Sequence, residues 1–297
     1  MAALRETLIS QDAYKSVESE GFLDLYFYRP GGAFFAWAGF RLGLTPNALT
    51  AASLITGVAG ACLLYFDESL WRGAALLVVS GLFDASDGQL ARMTKSSSHA
   101  GRILDGVSDY LVFMATYLAL GFKYLSLHPQ SSPLAIFSLI AAAGISHSMQ
   151  SSLFDFYRNE YADYADRKMI PRPAPEETET PVGVASAFLA WCHRDYTRRQ
   201  RALARVRVNM GKELLSRYPG GKIDEPFARK FKDANLPLIW WWNLMGANSR
   251  LLVTVGALAA GRPELYFWAE LTLYNLCAFA THRRQAAADR SLLASLN

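Results

Sequence analysis

The sequence predicts an all-α polytopic membrane protein with six transmembrane helices, an N-terminal interfacial helix and a cytosolic insertion between helices 4 and 5. Three observations predict it. Apolar residues make up 52% of the 297 positions, and mean hydropathy is positive at +0.09. Those residues are gathered into blocks of about 20, the length that crosses a hydrocarbon core of roughly 30 Å, instead of recurring with an amphipathic period. Lysine and arginine cluster outside the blocks and sort mainly to one side of them.

The first forty residues carry Arg5, Glu6, Asp12, Lys15, Glu18, Glu20 and Asp24 and no compact apolar run, so the N-terminus reads as mature and cytosolic. Phe22, Leu25 and Tyr26 then recur at helical spacing before Tyr28, Arg29 and Pro30. This pattern suits a short helix lying in the membrane interface, or a solvated helix packed on the protein's own cytosolic loops. Thr45 supplies an N-cap and Pro46 an N1 residue, so the first span starts there.

Spans are predicted at about 46–66, 73–93, 101–124, 132–154, 237–260 and 263–282. An even number puts both termini on one side. The N-terminal segment, Lys95, the 155–235 segment and Arg283, Arg284 and Arg290 share that side, against Arg72, Lys123 and Arg262 on the other, which makes it cytoplasmic. The chain thus divides into a juxtamembrane segment at 1–45, helices 1–4 at 46–154, an insertion at 155–235, and helices 5–6 with the C-terminus at 236–297.

The insertion opens with an acidic, proline-containing stretch from Pro171 to Glu179 that reads as a flexible linker. Phe188, Leu189 and Trp191 follow, then Arg194, Arg198, Arg199, Arg201, Arg205 and Arg207, an order suited to an interfacial helix on anionic lipid or to a solvated one. Cys62, Cys192 and Cys277 lack metal-ligand or redox spacing. A net charge of +4 with no nucleic-acid motif argues for membrane lipids as partners and against DNA or RNA.

The chemistry lies in four carboxylates. Asp84 and Asp87 sit near the cytoplasmic end of the second span, Asp105 and Asp109 just inside the third. Positions i and i+3 or i+4 share a helix face, so each span presents an acidic pair. The turn from Met93 to Ala100 makes the helices antiparallel neighbours and brings the pairs to similar depth. An ionised carboxylate at the centre of a membrane helix costs roughly 2.5–3.5 kcal/mol, less near the interface, and four together also repel. Hard divalent cations neutralise such a group with oxygen ligands, and two held close together clamp a phosphoryl group. Gly88 and Ala91, one turn beyond Asp84 and Asp87, and Gly101, four before Asp105, leave room for a bulky ligand, while Arg92 suits a phosphate or a carboxylate.

Asp84-x-x-Asp87-Gly88-x-x-Ala91-Arg92, eight residues, then Gly101-x-x-x-Asp105-x-x-x-Asp109 resembles the signature of the CDP-alcohol phosphotransferase family, the phosphatidyltransferases. The resemblance extends to Thr45-Pro46-Asn47 and the six-span layout, and leaves out the 155–235 segment. It implies that Asp84, Asp87, Asp105 and Asp109 hold two Mg²⁺ or Mn²⁺ ions against the donor pyrophosphate. It also implies that Gly88, Ala91, Arg92, Asn47 and Gly101 line the nucleotide pocket, and that Asp109 is the general base. The implied partners are a CDP-linked donor, foremost CDP-diacylglycerol, an alcohol acceptor, and a second copy in a homodimer.

Three further residues are candidates for the acceptor or a phosphate. Arg250 lies inside the fifth span, where it either holds a phosphate or pairs with Glu270. His147, flanked by Ser146 and Ser148, and Arg158 face the same choice between ligand and helix packing. Two competing readings are a CDP-linked small alcohol donating to a lipid alcohol, and a divalent-cation transporter. The outer halves of spans two and three, nearly all apolar, make the acidic pocket one-sided and count against transport.

Overall fold

A computed structural model describes residues 18–171 and 184–296. The acidic linker expected after Pro171 lies outside the described residues, apart from Pro171 itself. The described residues form helices joined by turns and loops, with no strand beyond one isolated bridge between Met169 and Lys222. The helices are α1 (Arg29–Arg41), α2 (Pro46–Leu63), α3 (Leu70–Met93), α4 (His99–Leu127), α5 (Pro133–Tyr161), α6 (Val184–Leu203), α7 (Arg205–Arg217), α8 (Glu225–Asn243), α9 (Ala247–Ala259), α10 (Glu264–Ala269) and α11 (Asn275–Ala294). They pack as two units, one from residues 1–144 and 247–271, the other from 145–246 and 272–297. Three stretches are long and apolar enough to cross a membrane: Pro46–Leu63, Gly101–Leu127 and Pro133–Asp166.

The first unit is built on close helix contacts. A Cβ on Gly60 would sit 2.9 Å from the Gly73 carbonyl oxygen, and one on Gly73 would sit 2.8 Å from that of Gly60, so α2 and α3 cross backbone to backbone. Below that crossing the Ser53 hydroxyl donates to the Ser80 carbonyl at 2.9 Å and the Ser80 hydroxyl to the Ser53 carbonyl at 2.8 Å. Small residues and paired hydroxyls are what hold helices together where the surroundings are as apolar as leucine. Leu64, Tyr117, Leu120, Ile136, Ala143, Leu258, Tyr266 and Phe267 form the main apolar core. A π-helical turn, Asp24–Tyr28, leads into α1, which buries Gly32, Ala33, Ala36 and Gly39.

The turn between α3 and α4 is fixed at both ends. Lys95 adopts a left-handed conformation (φ 53°), the Ser96 amide donates to the Ala91 carbonyl at 3.0 Å and the Lys95 amide to the Arg92 carbonyl at 3.2 Å, a Schellman closure. Ser98 then caps α4 by accepting from the Gly101 amide at 2.9 Å. Thr45 caps α2 as the sequence predicts, accepting from Ala48 at 3.3 Å.

The second unit centres on one buried cation. Arg207 and Asp289 are 1% and 0% exposed, and the guanidinium donates to Asp289 Oδ1 at 2.6 and 3.0 Å and to Asn235 Oδ1 at 2.6 Å. Trp242 donates its indole N–H to Gln285 at 3.3 Å, and Tyr157 stacks on Trp242 with centroids 5.0 Å apart. Tyr196 donates to Asp155 Oδ2 at 2.6 Å; burial and that carboxylate push the phenol pKa up and keep it a donor. The 155–235 segment is therefore packed against the C-terminal helix through Arg207 and Asp289.

Several boundaries differ from the expected spans: α5 runs to Tyr161, past the expected end at 154, and α8 begins at Glu225, before the expected start at 237. The fifth, expected unbroken over 237–260, is two helices, because residues 244–246 close the end of α8: Met245 donates to the Trp242 carbonyl and Gly246 to that of Asn243. The sixth, expected to end at 282, continues as α11 to Ala294, where Gln285, Asp289 and Leu292 are buried on one face.

Candidate metal centre

Two helices bring the acidic side chains together. The capped turn after Met93 sends α4 back along α3, and ligand oxygens of Asp84, Asp87 and Asp105 lie within 4.8 Å of one another. Asp84 and Asp105 approach to hydrogen-bonding distance, and Asp109 lies within electrostatic reach of Asp84. Asp87 is buried, Asp84 and Asp105 half-buried, and Asp109 exposed. Three convergent carboxylates with no softer ligand among them form the donor set of a hard divalent cation, whose oxygen ligands sit at roughly 2.0–2.6 Å. The residues therefore fit the metal that the sequence implies.

Space beside the carboxylates comes from glycine. A Cβ on Gly88 would meet only Arg92 Nη1, at 3.5 Å, and one on Gly106, a turn before Asp109, would meet nothing within 4 Å. Arg92 lies within electrostatic reach of Asp87, Glu20 and Arg29. Asn47 at the start of α2 faces Gly101, whose Cβ would come 3.6 Å from its Oδ1. Ala91 lends its carbonyl to the Schellman turn and stands one turn after Asp87.

The family model for CDP-alcohol phosphatidyltransferases matches residues 43–207, more than half of the chain and the stretch that holds all four aspartates. The chain belongs to the CDP-alcohol phosphatidyltransferase family. Among its relatives, the phosphatidylinositol phosphate synthase of Mycobacterium tuberculosis is 33% identical over 34% of this chain and 46% of its own. That of Mycolicibacterium smegmatis is 37% identical over 26% and 34%. The bifunctional IPC transferase and DIPP synthase of Aquifex aeolicus is 29% identical over 40% and 27%. The chain spans less than half the length of these relatives.

The remaining candidates have protein partners of their own. Arg250 is 2% exposed and its Nε donates to Glu270 Oε1 at 2.7 Å, while Tyr266 donates to the same oxygen at 3.0 Å. The Glu270 bridge of the sequence reading is formed. His147 is buried and Arg158 stacks 5.6 Å over Phe154, both in the second unit.

Two partners escaped the sequence reading. Thr50, 3% exposed, donates its hydroxyl to Asp87 Oδ2 at 2.5 Å. Its signal was present: it stands one turn after Asn47 on the same face of α2. Glu20, 6% exposed, pairs with Arg29. Nothing in the local sequence joins those two to Arg92.

Proposed function

We propose that the chain transfers a phosphatidyl group from CDP-diacylglycerol to the hydroxyl of a polar alcohol, releasing CMP, with Asp84, Asp87, Asp105 and Asp109 holding two Mg²⁺ or Mn²⁺ ions. The observation that carries this is the convergence of three carboxylates from two helices within 4.8 Å, inside the segment matched by the family. When bound, the ions supply charge neutralisation for the donor pyrophosphate and the leaving phosphate.

The chain's own residues supply the rest. Gly88, Ala91, Asn47 and Gly101 leave a surface for the cytidine nucleotide, and Arg92 pairs with its phosphate. Asp109, exposed beside the open space at Gly106, takes the proton from the acceptor hydroxyl. The acceptor oxygen forms a bond to the lipid-bearing phosphorus, the bond from that phosphorus to the CMP oxygen breaks, and CMP leaves with the electron pair. Positioning accounts for most of the rate, since the protein has no covalent work to do.

The relatives' name makes a phosphorylated inositol the first acceptor to test. Arg158 and His147 remain the residues to vary for acceptor choice. In this reading six helices cross the membrane, the termini and the metal centre face the cytoplasm, and the chain works as a homodimer. Exposed Phe22, Tyr26, Phe27 and Phe34 support an interfacial position for the N-terminal helix.

Incubation with CDP-diacylglycerol, Mg²⁺ and a panel of alcohols, with CMP as readout, tests the proposal. Asp109→Asn is expected to express and fold normally while losing CMP release by about a hundredfold or more. Retained release in that variant contradicts the assignment.

A further inference from the structure

The N-terminal segment that precedes the family's matched region reaches the catalytic helix. Glu20 is a buried carboxylate, 6% exposed, ion-paired with Arg29 at the start of α1. Arg29 is in turn tied to α3: Gln89 Nε2 donates to its carbonyl at 3.1 Å. Alongside, a Cβ on Gly32 would lie 2.9 Å from Ala85 Cβ and 3.2 Å from Gln89 Nε2, so α1 and α3 have no slack between them. Arg92 follows Gln89 by three positions on α3 and stands in the field of Glu20, Arg29 and Asp87 at once. Asp24 fixes the π-helical turn between Glu20 and Arg29 from another side by accepting from Asn248 at 2.8 Å.

A buried carboxylate near two guanidiniums has a definite effect on each. Like charges on Arg29 and Arg92 repel, and Glu20, held by its ion pair with Arg29, offsets that repulsion and gives Arg92 a second acidic neighbour besides Asp87. A long, rotamer-rich side chain held in this way loses less entropy when a phosphate arrives.

We infer that Glu20, anchored by Arg29, is a positioning residue that holds Arg92 for the phosphate of the CDP moiety, which makes residues 18–41 part of the donor site. The inference rests on the reading that Arg92 faces the donor. Glu20 touches neither metal nor substrate, so its loss is expected to appear in donor affinity and leave the chemical step alone.

The test compares the full-length protein with Glu20→Gln, Glu20→Asp and the Glu20→Gln/Arg29→Gln double variant, in steady state and by equilibrium binding of CDP in the presence of Mg²⁺. The double variant leaves no orphaned charge at Arg29, so it stays informative where Glu20→Gln alone folds poorly. In Glu20→Gln, KM for CDP-diacylglycerol and the Kd for CDP are expected to rise about tenfold, the scale of one charge-assisted hydrogen bond, with kcat and acceptor KM within about twofold. The double variant should show the same split, and Glu20→Asp should recover most of the affinity. A folded Glu20→Gln protein with unchanged donor KM and CDP affinity, or with kcat reduced at unchanged KM, overturns the inference. Arg92→Ala separates the two levels. Weak CDP binding there beside normal binding in Glu20→Gln removes only the role of Glu20, whereas normal binding in Arg92→Ala removes the donor assignment as well.

Discussion

Thr50 shows how a neutral side chain tunes an acidic centre. Its hydroxyl donates to Asp87 Oδ2 and fixes which way that buried carboxylate points. Thr50→Val keeps the shape and removes the donor; apparent Mg²⁺ affinity in the CMP assay is expected to fall roughly tenfold, in the range that outer ligand partners contribute. A Mg²⁺ dependence identical to that of the unaltered protein contradicts this role. The convergence of Asp84, Asp87 and Asp105 was legible because helix spacing and a short turn between the two helices place them together. Thr50 and Glu20 were harder to read, since their partners stand 37 positions away across a helix contact and nine positions away across a π-helical turn.

At the scale of elements, the capped turn between α3 and α4 and the glycine crossing of α2 on α3 set the positions of the carboxylates. The sequence showed the first as a short connection and a likeness in depth, and the structure adds its cause, a left-handed Lys95 followed by the Ser98 cap. The crossing was not read because a glycine in an apolar block has the same hydropathy whether it faces lipid or a backbone. Gly60→Leu is expected to push α2 away from α3, lower the melting temperature by several degrees, an overpacking cost of about 1–3 kcal/mol, and reduce turnover through displaced Thr50. Thermal denaturation with the CMP assay checks both effects. Hydropathy also averaged over the break at 244–246, where Asn243 and Gly246 carry the local signal, and ended the sixth span where Arg283 and Arg284 begin although the helix continues.

Each unit holds a buried ion pair of its own. Arg207 with Asp289 organises the second unit and Arg250 with Glu270 the first, whereas the aspartate cluster gathers three carboxylates that the proposed function assigns to a divalent cation. Arg207→Met leaves Asp289 buried without its guanidinium and is expected to cost about 3–5 kcal/mol, while Arg207→Met/Asp289→Leu recovers most of it. Denaturant titration of both variants checks the difference. Binding of a divalent ion in the absence of substrate separates the structural pairs from the aspartate cluster. Mn²⁺ titration of the purified protein, followed by electron paramagnetic resonance, is the most direct test: saturable binding is expected in the unaltered protein and in Glu270→Gln, and its loss in Asp84→Asn and Asp105→Asn. Equal Mn²⁺ binding before and after those two aspartate substitutions contradicts the account.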